Sequence, residues 1–364
     1  MKKLILLMLA IIISSCGVNS SCDIKSKNEI YKSREFSFSY SVDLEPSNNK
    51  KLEMWLPVPQ SNSVQEISNV SIDSDGLFYE FKEEKDHKNK YVYIYSNSGT
   101  NTTKKVVLSF DIKRLQHQNV DYNNVNPDNY LSGSSMVPVG SIFDKIVKDN
   151  KLAKDNMKGV YNYVLTGMHY GKPTDDKASG NYKYVHGGIN PKTGKEWLPN
   201  NITYGLKKKT RDELTKSQNN NEKYAYGNGN SLYACDIGVG NCTDYHSYFI
   251  SLSRTLEIPA RFHMGFPIPS GKEGKVKGYH CWADYYIDGE GWYPVDISEA
   301  DKDPSKAEYF FGTVDESRVE MMIGRDFSLD ECSSNPVNLF IYPLLEIEDK
   351  SSKNFKKSFT FKEI

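Results

Sequence analysis

Neither sign of charge dominates this sequence: 46 Lys and Arg stand against 47 Asp and Glu, a formal net charge of -1. A chain that grips nucleic acid through phosphates, or gathers a charged substrate by its bulk field, carries a surplus that is missing here, and no nucleic-acid partner is expected. Cysteine is scarce, six in 364 residues, and no pair has the short C-x-x-C spacing of closed zinc sites. Histidine numbers only seven, so each can be weighed singly. Beyond the N-terminus there is no apolar run long enough to cross a membrane, and no internal repeat. What is present is the composition of a globular chain, 38% hydrophobic and 26% charged, long enough for roughly two domains.

The N-terminus stands apart from the fold. Met1-Lys2-Lys3 is followed by ten uninterrupted apolar residues, Leu4 to Ile13, too short to span a bilayer and the size of a secretory h-region. Ile13-Ser14-Ser15-Cys16-Gly17 resembles a bacterial lipoprotein cleavage box. Residues 1–15 therefore read as a signal peptide, Cys16 as the lipidated first residue of the mature chain, and 16–29, polar and rich in Ser, Asn and Lys, as a tether. The expected location is the cell envelope, outside the cytoplasm, with the protein held to the membrane by its lipid.

From 30 to 118 the pattern is that of strands. Phe36, Phe38, Tyr40, Val42 and Leu44 alternate with polar residues, Leu52, Met54, Leu56 and Val58 repeat the period, and Tyr91–Tyr95 and Val106–Ile112 supply more. An N-terminal β-sandwich over these residues is expected. A different register follows: Ile142, Ile146 and Val147, then Met157, Val160, Tyr161, Val164, Leu165 and Met168, mark two helices. Residues of about 170–230 are polar and lack a period; the apolar pattern resumes at Leu232. The fold class is α+β, with residues 119–364 forming the second domain.

Within that domain, Tyr245, Phe249, Leu252 and Leu256 fall on one helical face, which Pro259 ends. Gly240 and Asn241 suit the cap, Asp244 suits the first turn, and Cys242 thus sits at a helix N-terminus, where N–H groups and the dipole favour a thiolate. Two strands, 280–287 and 292–297, flank the turn Asp288-Gly289-Glu290-Gly291. His280 opens the first and Asp296 lies in the second. If Ile287 pairs with Trp292, Asp296 faces away from His280; a three- or five-residue loop, or a bulge, brings it to the same face, so an irregular connection is expected between 288 and 296. A nucleophile, a base and a group that orients the base make a catalytic unit.

Four motifs then resemble the transglutaminase-like superfamily: Gly240-Asn241-Cys242-Thr243-Asp244, Ile258-Pro259-Ala260-Arg261, His280-Cys281-Trp282-Ala283-Asp284 and Trp292-Tyr293-Pro294-Val295-Asp296. The resemblance implies a papain-like cysteine-enzyme fold. It implies Cys242 as nucleophile, His280 as base and acid, Asp296 as orienter, and acyl transfer at amide bonds of a protein or peptide, with no cofactor. Hydrolysis is favoured over amine transfer; an inactive binding module with the same fold is the rival of another class. Asp284 stands where the family usually has Glu, and Cys281 has no derived role.

Substrate contacts are expected from Tyr279, with Trp282 as a cleft-wall or core aromatic and His246 beside the thiol or in the packing. Asn230 or Tyr233, from Tyr226-Gly227-Asn228-Gly229-Asn230-Ser231-Leu232-Tyr233-Ala234-Cys235, would supply a second oxyanion donor next to the Cys242 N–H. Arg261 reads as structural. No metal is expected: Cys235, Cys242, Cys281, His246 and His280 lack zinc spacing, and Asp296, Glu299, Asp301 and Asp303 read as a solvated loop rather than a calcium site. Among Cys22, Cys235, Cys281 and Cys332 a disulfide is open, its pairing undetermined.

Overall fold

The computed structural model describes residues 32–122, 124–176, 181–185, 188–214 and 223–364. The expected signal peptide, Cys16, the tether and Cys22 lie outside the described residues.

Alternation in Phe36, Phe38, Tyr40, Val42 and Leu44 gives β1 (Ser33–Leu44) one apolar face, and all five side chains are buried. β2 (Leu52–Val58), β3 (Gln65–Asp73), β4 (Phe78–Glu83), β5 (Lys90–Ser96) and β6 (Lys104–Leu115) follow. β1 pairs antiparallel with β6, and Phe38 stacks on Phe110 with ring centroids 5.3 Å apart. β2 is buried on both faces rather than one. Its polar side is satisfied inside: Glu53 accepts the Tyr93 hydroxyl at 2.6 Å, and Trp55 donates its indole N–H to the Asp330 carbonyl at 2.9 Å. β3 and β4 escape the apolar pattern because most of their residues are exposed.

Helices and short strands come next: α1 (Ile142–Asp149), α2 (Met157–Gly167), β7 (His169–Tyr170), β8 (Lys172–Asp176), β9 (Asn181–Val185), α3 (Arg211–Leu214), α4 (Ser231–Ile237), β10 (Val239–Gly240) and α5 (Cys242–Thr255). The single buried face expected of α5 is an understatement, for every residue from Cys242 to Ser253 is buried. Its serines pair within the core, Ser251 donating to Ser231 Oγ at 2.8 Å and Ser253 to the Phe249 carbonyl at 2.9 Å.

The rest of the chain is β11 (Ala260–Pro267), β12 (Glu273–Lys275), β13 (His280–Ile287), β14 (Gly291–Val295), α6 (Ile297–Lys302), α7 (Ala307–Phe310), β15 (Arg318–Ile323), β16 (Leu344–Ile347), β17 (Lys350–Ser352) and β18 (Phe355–Glu363). A four-stranded antiparallel sheet runs in the order β14-β13-β11-β15, and α5 packs across β13 and β11. Two five-stranded sheets, ordered β12-β18-β1-β6-β3 and β17-β16-β2-β5-β4, and two strand pairs, β10-β7 and β8-β9, complete the mixed α/β fold among the described residues.

These orders correct the expected allocation of all of 119–364 to a separate second domain. β18 pairs with β1 along Phe36–Leu44, and β16 pairs with β2. Phe359 and Phe361 need a partner face, and β1 has one edge left after β6 takes the other. The described residues from Lys32 to Ile364 form one compact unit with a shared core.

Candidate active site

Cys242 is the first residue of α5, and the helix start is built with care. The Asn241 side chain accepts the Thr243 N–H at 2.9 Å, while the Asp244 carboxylate accepts the Asn241 N–H at 3.0 Å, a reciprocal capping box. Asp244 also takes the Gly227 N–H at 3.0 Å and the Gly229 N–H at 3.2 Å, which pins the loop before α4 across the helix start. A Cβ on Gly240 would stand 2.6 Å from the Asp244 Cβ, so only glycine allows that approach. The Cys242 thiol is buried at 3% exposure.

Ile287 pairs with Gly291 and Tyr286 with Trp292, leaving a three-residue loop, Asp288-Gly289-Glu290. Gly289 and Gly291 take positive φ, 75° and 99°, as such a connection requires. The register places Val295 opposite Ala283, and so the next residue, Asp296, falls on the face shared by His280 and Trp282. Asp296 is not itself in the strand, a correction to the expected 292–297. It caps α6, accepting the Glu299 N–H and the Ser298 hydroxyl at Oδ1, each at 3.2 Å.

Its other oxygen, Oδ2, lies 2.7 Å from His280 Nε2 and 3.3 Å from Arg318 Nη2. Burial alone would raise the Asp296 carboxyl, but the charge and hydrogen bond of His280, with Arg318 and His246, hold it well below the carboxylate range. With Nε2 committed to Asp296, Nδ1 is the His280 nitrogen left for Cys242, and the two groups are near enough for charge on one to be felt by the other. Burial disfavours charge on His280, yet Asp296 and Cys242 outweigh it and raise the imidazole to about 9. Cys242 is held well below its ordinary value, first by a hydrogen bond from Cys281, against burial, then by His280 and the positive charge of Lys302.

Not all the expected contacts face the thiol. Trp282 is 1% exposed and stacks at 5.6 Å on His263, with His280 on a ring centroid 6.5 Å away, so it backs the imidazole instead of meeting substrate. His246 is fully buried; its Nδ1 donates to the Cys242 carbonyl at 2.7 Å and its Nε2 accepts the Ile297 N–H at 3.0 Å, tying α5 to α6. Asn230 is the cap of α4, accepting from the Leu232 and Tyr233 N–H groups and donating to the Lys223 carbonyl, so its amide is spent. Tyr233 meets the Tyr184 hydroxyl at 2.7 Å in a separate core cluster.

Tyr279 does border the site, its hydroxyl 3.2 Å from Thr243 Oγ1 and 3.4 Å from Asn241 Nδ2. Arg261 is structural, pairing with Asp284 through two nitrogens, one bond of 3.0 Å, and lying 4.0 Å over the Trp292 ring. The expected solvated loop of acids is instead the α6 helix. Asp301 Oδ2 accepts the Tyr170 N–H at 3.0 Å, and Glu299 takes Lys302 at 2.8 Å. The four thiols among the described residues, Cys235, Cys242, Cys281 and Cys332, are free and buried.

Three neighbours lay outside the expectation. Tyr170, Tyr226 and Lys302 are near enough to Cys242 for charge on one to be felt by the other. Tyr226 belongs to the Gly/Asn loop and had that much signal; Tyr170 sits in the polar stretch and had none. A cleft of about 430 Å³ opens here, lined by Tyr170, Trp197, Phe310, Glu299, Lys302 and Lys306 among others. Glu299 Oε1 is 3.9 Å from His280 Nε2, which joins this cleft to the base. A larger cleft, about 940 Å³, lies at the far end of β13 around Tyr285, Tyr286 and Tyr293, and none of Cys242, His280 and Asp296 lines it.

A helix-terminal thiol, an imidazole and a buried carboxylate are thus gathered beside the four-stranded antiparallel sheet. Residues 195–297, which hold all three groups, match the sequence profile of the transglutaminase-like superfamily, and the chain carries a transglutaminase-like core. A protein of unassigned role from Haemophilus influenzae is 22% identical over 396 residues, covering 95% of this chain and 94% of its own. A chain from Cytophaga hutchinsonii, proposed to be a cysteine protease, superposes with a TM-score of 0.48 at 14% identity over 91% of this chain and 100% of that one. The periplasmic domain of TgpA from Pseudomonas aeruginosa, bound to ethylmercury, does so with a TM-score of 0.31 at 13% identity over 76% and 93%.

Proposed function

We propose that this chain is a thiol-dependent acyl-transfer enzyme acting at amide bonds, with Cys242 as nucleophile, His280 as acid and base, and Asp296 as the group that orients His280. The observation that carries this reading is the 2.7 Å bond from His280 Nε2 to Asp296, which leaves the other ring nitrogen to the thiol. With His280 raised and Cys242 lowered, the resting pair is thiolate and imidazolium. The thiolate attacks the amide carbonyl carbon, and the oxygen of the tetrahedral adduct meets the Cys242 N–H, which stands at the helix start outside the capping bonds. Imidazolium gives its proton to the departing amine, the carbon–nitrogen bond breaks, and a thioester remains. Neutral His280 then takes a proton from water, whose oxygen attacks the thioester and releases the acid and the thiolate.

Hydrolysis is the favoured outcome because the cleft beside His280 is walled by exposed residues such as Lys306, open to water. The two five-stranded sheets form the accessory β-sandwich, and the N-terminal sequence supports a chain lipidated at Cys16 and held at the outside of a membrane. Incubation with casein and a fluorescent primary amine tests the reaction. New peptide termini without label are expected. Label without new termini would make the enzyme an amine transferase, and neither product across several substrates would leave an inactive binding module.

A further inference from the structure

Cys281 is a second buried thiol beside the nucleophile, and the reaction just described gives it no part. It is 0% exposed on β13, and its Sγ lies 3.6 Å from Thr243 Oγ1, the residue after Cys242 on α5. Cys281 is also near enough to the Cys242 sulfur for a hydrogen bond to lower that thiol. Thr243 Oγ1 is in turn 3.2 Å from the Tyr279 hydroxyl, which Asn241 Nδ2 approaches at 3.4 Å. The direction of this chain is forced from its end. A thiolate has no proton, so Cys281 must donate to Cys242; that spends the only Cys281 proton, so Thr243 must donate to Cys281, and Tyr279 to Thr243.

We propose that Cys281 is a positioning residue: its S–H bond, supported by Thr243 and Tyr279, holds the Cys242 sulfur as an aimed thiolate from the side away from His280. The reading rests on Cys242 being the nucleophile. Burial and the neighbouring sulfur push Cys281 well up, so it keeps the proton it donates through the neutral range. A small apolar residue would fill the same space without donating, which separates this role from mere packing.

The test is the rate of Cys242 alkylation by iodoacetamide against pH, read by mass spectrometry on the intact protein. In Cys281→Ala the midpoint is expected to move up, slowing alkylation below it about tenfold for each pH unit of displacement. Cys281→Ser, which keeps a donor, is expected to lie nearer the parent. An unchanged profile in folded Cys281→Ala, or an equal displacement in the serine variant, overturns the proposal. Should the variants not fold, the infrared S–H band of the parent serves: alkylating Cys242 should move one S–H stretch to higher frequency, and no moved band overturns it. If Cys242 is not the first thiol labelled in the parent, the nucleophile assignment itself fails.

Discussion

His280 and Asp296 share a 2.7 Å bond although they stand on opposite sides of a hairpin whose loop has three residues. The same carboxylate oxygen also takes Arg318 at 3.3 Å, and the other oxygen caps α6. Asp296→Asn should therefore keep the fold but lose both the charge that supports imidazolium and the correct ring tautomer. A loss of roughly 10²- to 10⁴-fold in turnover is expected. A variant within twofold of the parent on the amide substrate would remove Asp296 from the mechanism.

The pH dependence should split by reaction. Amide cleavage needs the His280 proton, so its rate should fall above about 9, where the imidazole titrates. Alkylation needs only the thiolate and should persist across that limit, since Cys242 is already ionised far lower. The same shift bears on stability. His280 is raised in the fold from 6.5 to about 9, so its contribution is complete below 6.5 and is lost as pH rises through about 9. Urea midpoints of parent and His280→Gln should converge over that window; parallel curves would contradict it.

His246→Phe conserves volume but deletes two buried bonds, to the Cys242 carbonyl and the Ile297 N–H. The Cys242 carbonyl keeps the His246 backbone N–H of the helix, but the Ile297 N–H is left without a partner, which should cost about 2 kcal/mol. Chemical denaturation reads this directly. A loss below about 1 kcal/mol would mean that water or a rearranged loop satisfies it.

Arg261 and Asp284 are both fully enclosed, and His263 lies 3.0 Å from the same carboxylate. Arg261→Met should destabilise by about 3–5 kcal/mol, because it strands a buried charge. The double variant with Asp284→Leu should recover part of that loss. Additive losses in a double-mutant cycle would show that the pair is not coupled.

The sequence made the hairpin and the helix start readable because both are local: capping residues, a turn and a period of two act within a few positions. It did not separate Trp282 from the cleft or His246 from the substrate, since they lie close in the chain to His280 and Cys242 and their burial depends on elements far away. Asn230 illustrates the same limit, for a good oxyanion donor and a good helix cap are one residue type. The return of β16 and β18 was hidden for another reason. Apolar alternation shows that a strand needs a partner and says nothing of which one.

β1 takes β6 on one edge and β18 on the other, Phe36 pairing with Glu363. During synthesis β1 therefore waits with an open edge until β18 has been made. Closing so long a loop adds little to the equilibrium cost, which grows only logarithmically, but distant pairing slows the search. Phe266 of β11 meets both Phe38 of β1 and Phe359 of β18, with ring centroids 5.2 and 4.5 Å away, so the sheet that carries His280 is wedged into that closure. β1 and β18 thus clasp around a strand of the sheet that carries His280, and a chain released before β18 is complete lacks the clasp even though Cys242, His280 and Asp296 have already been made.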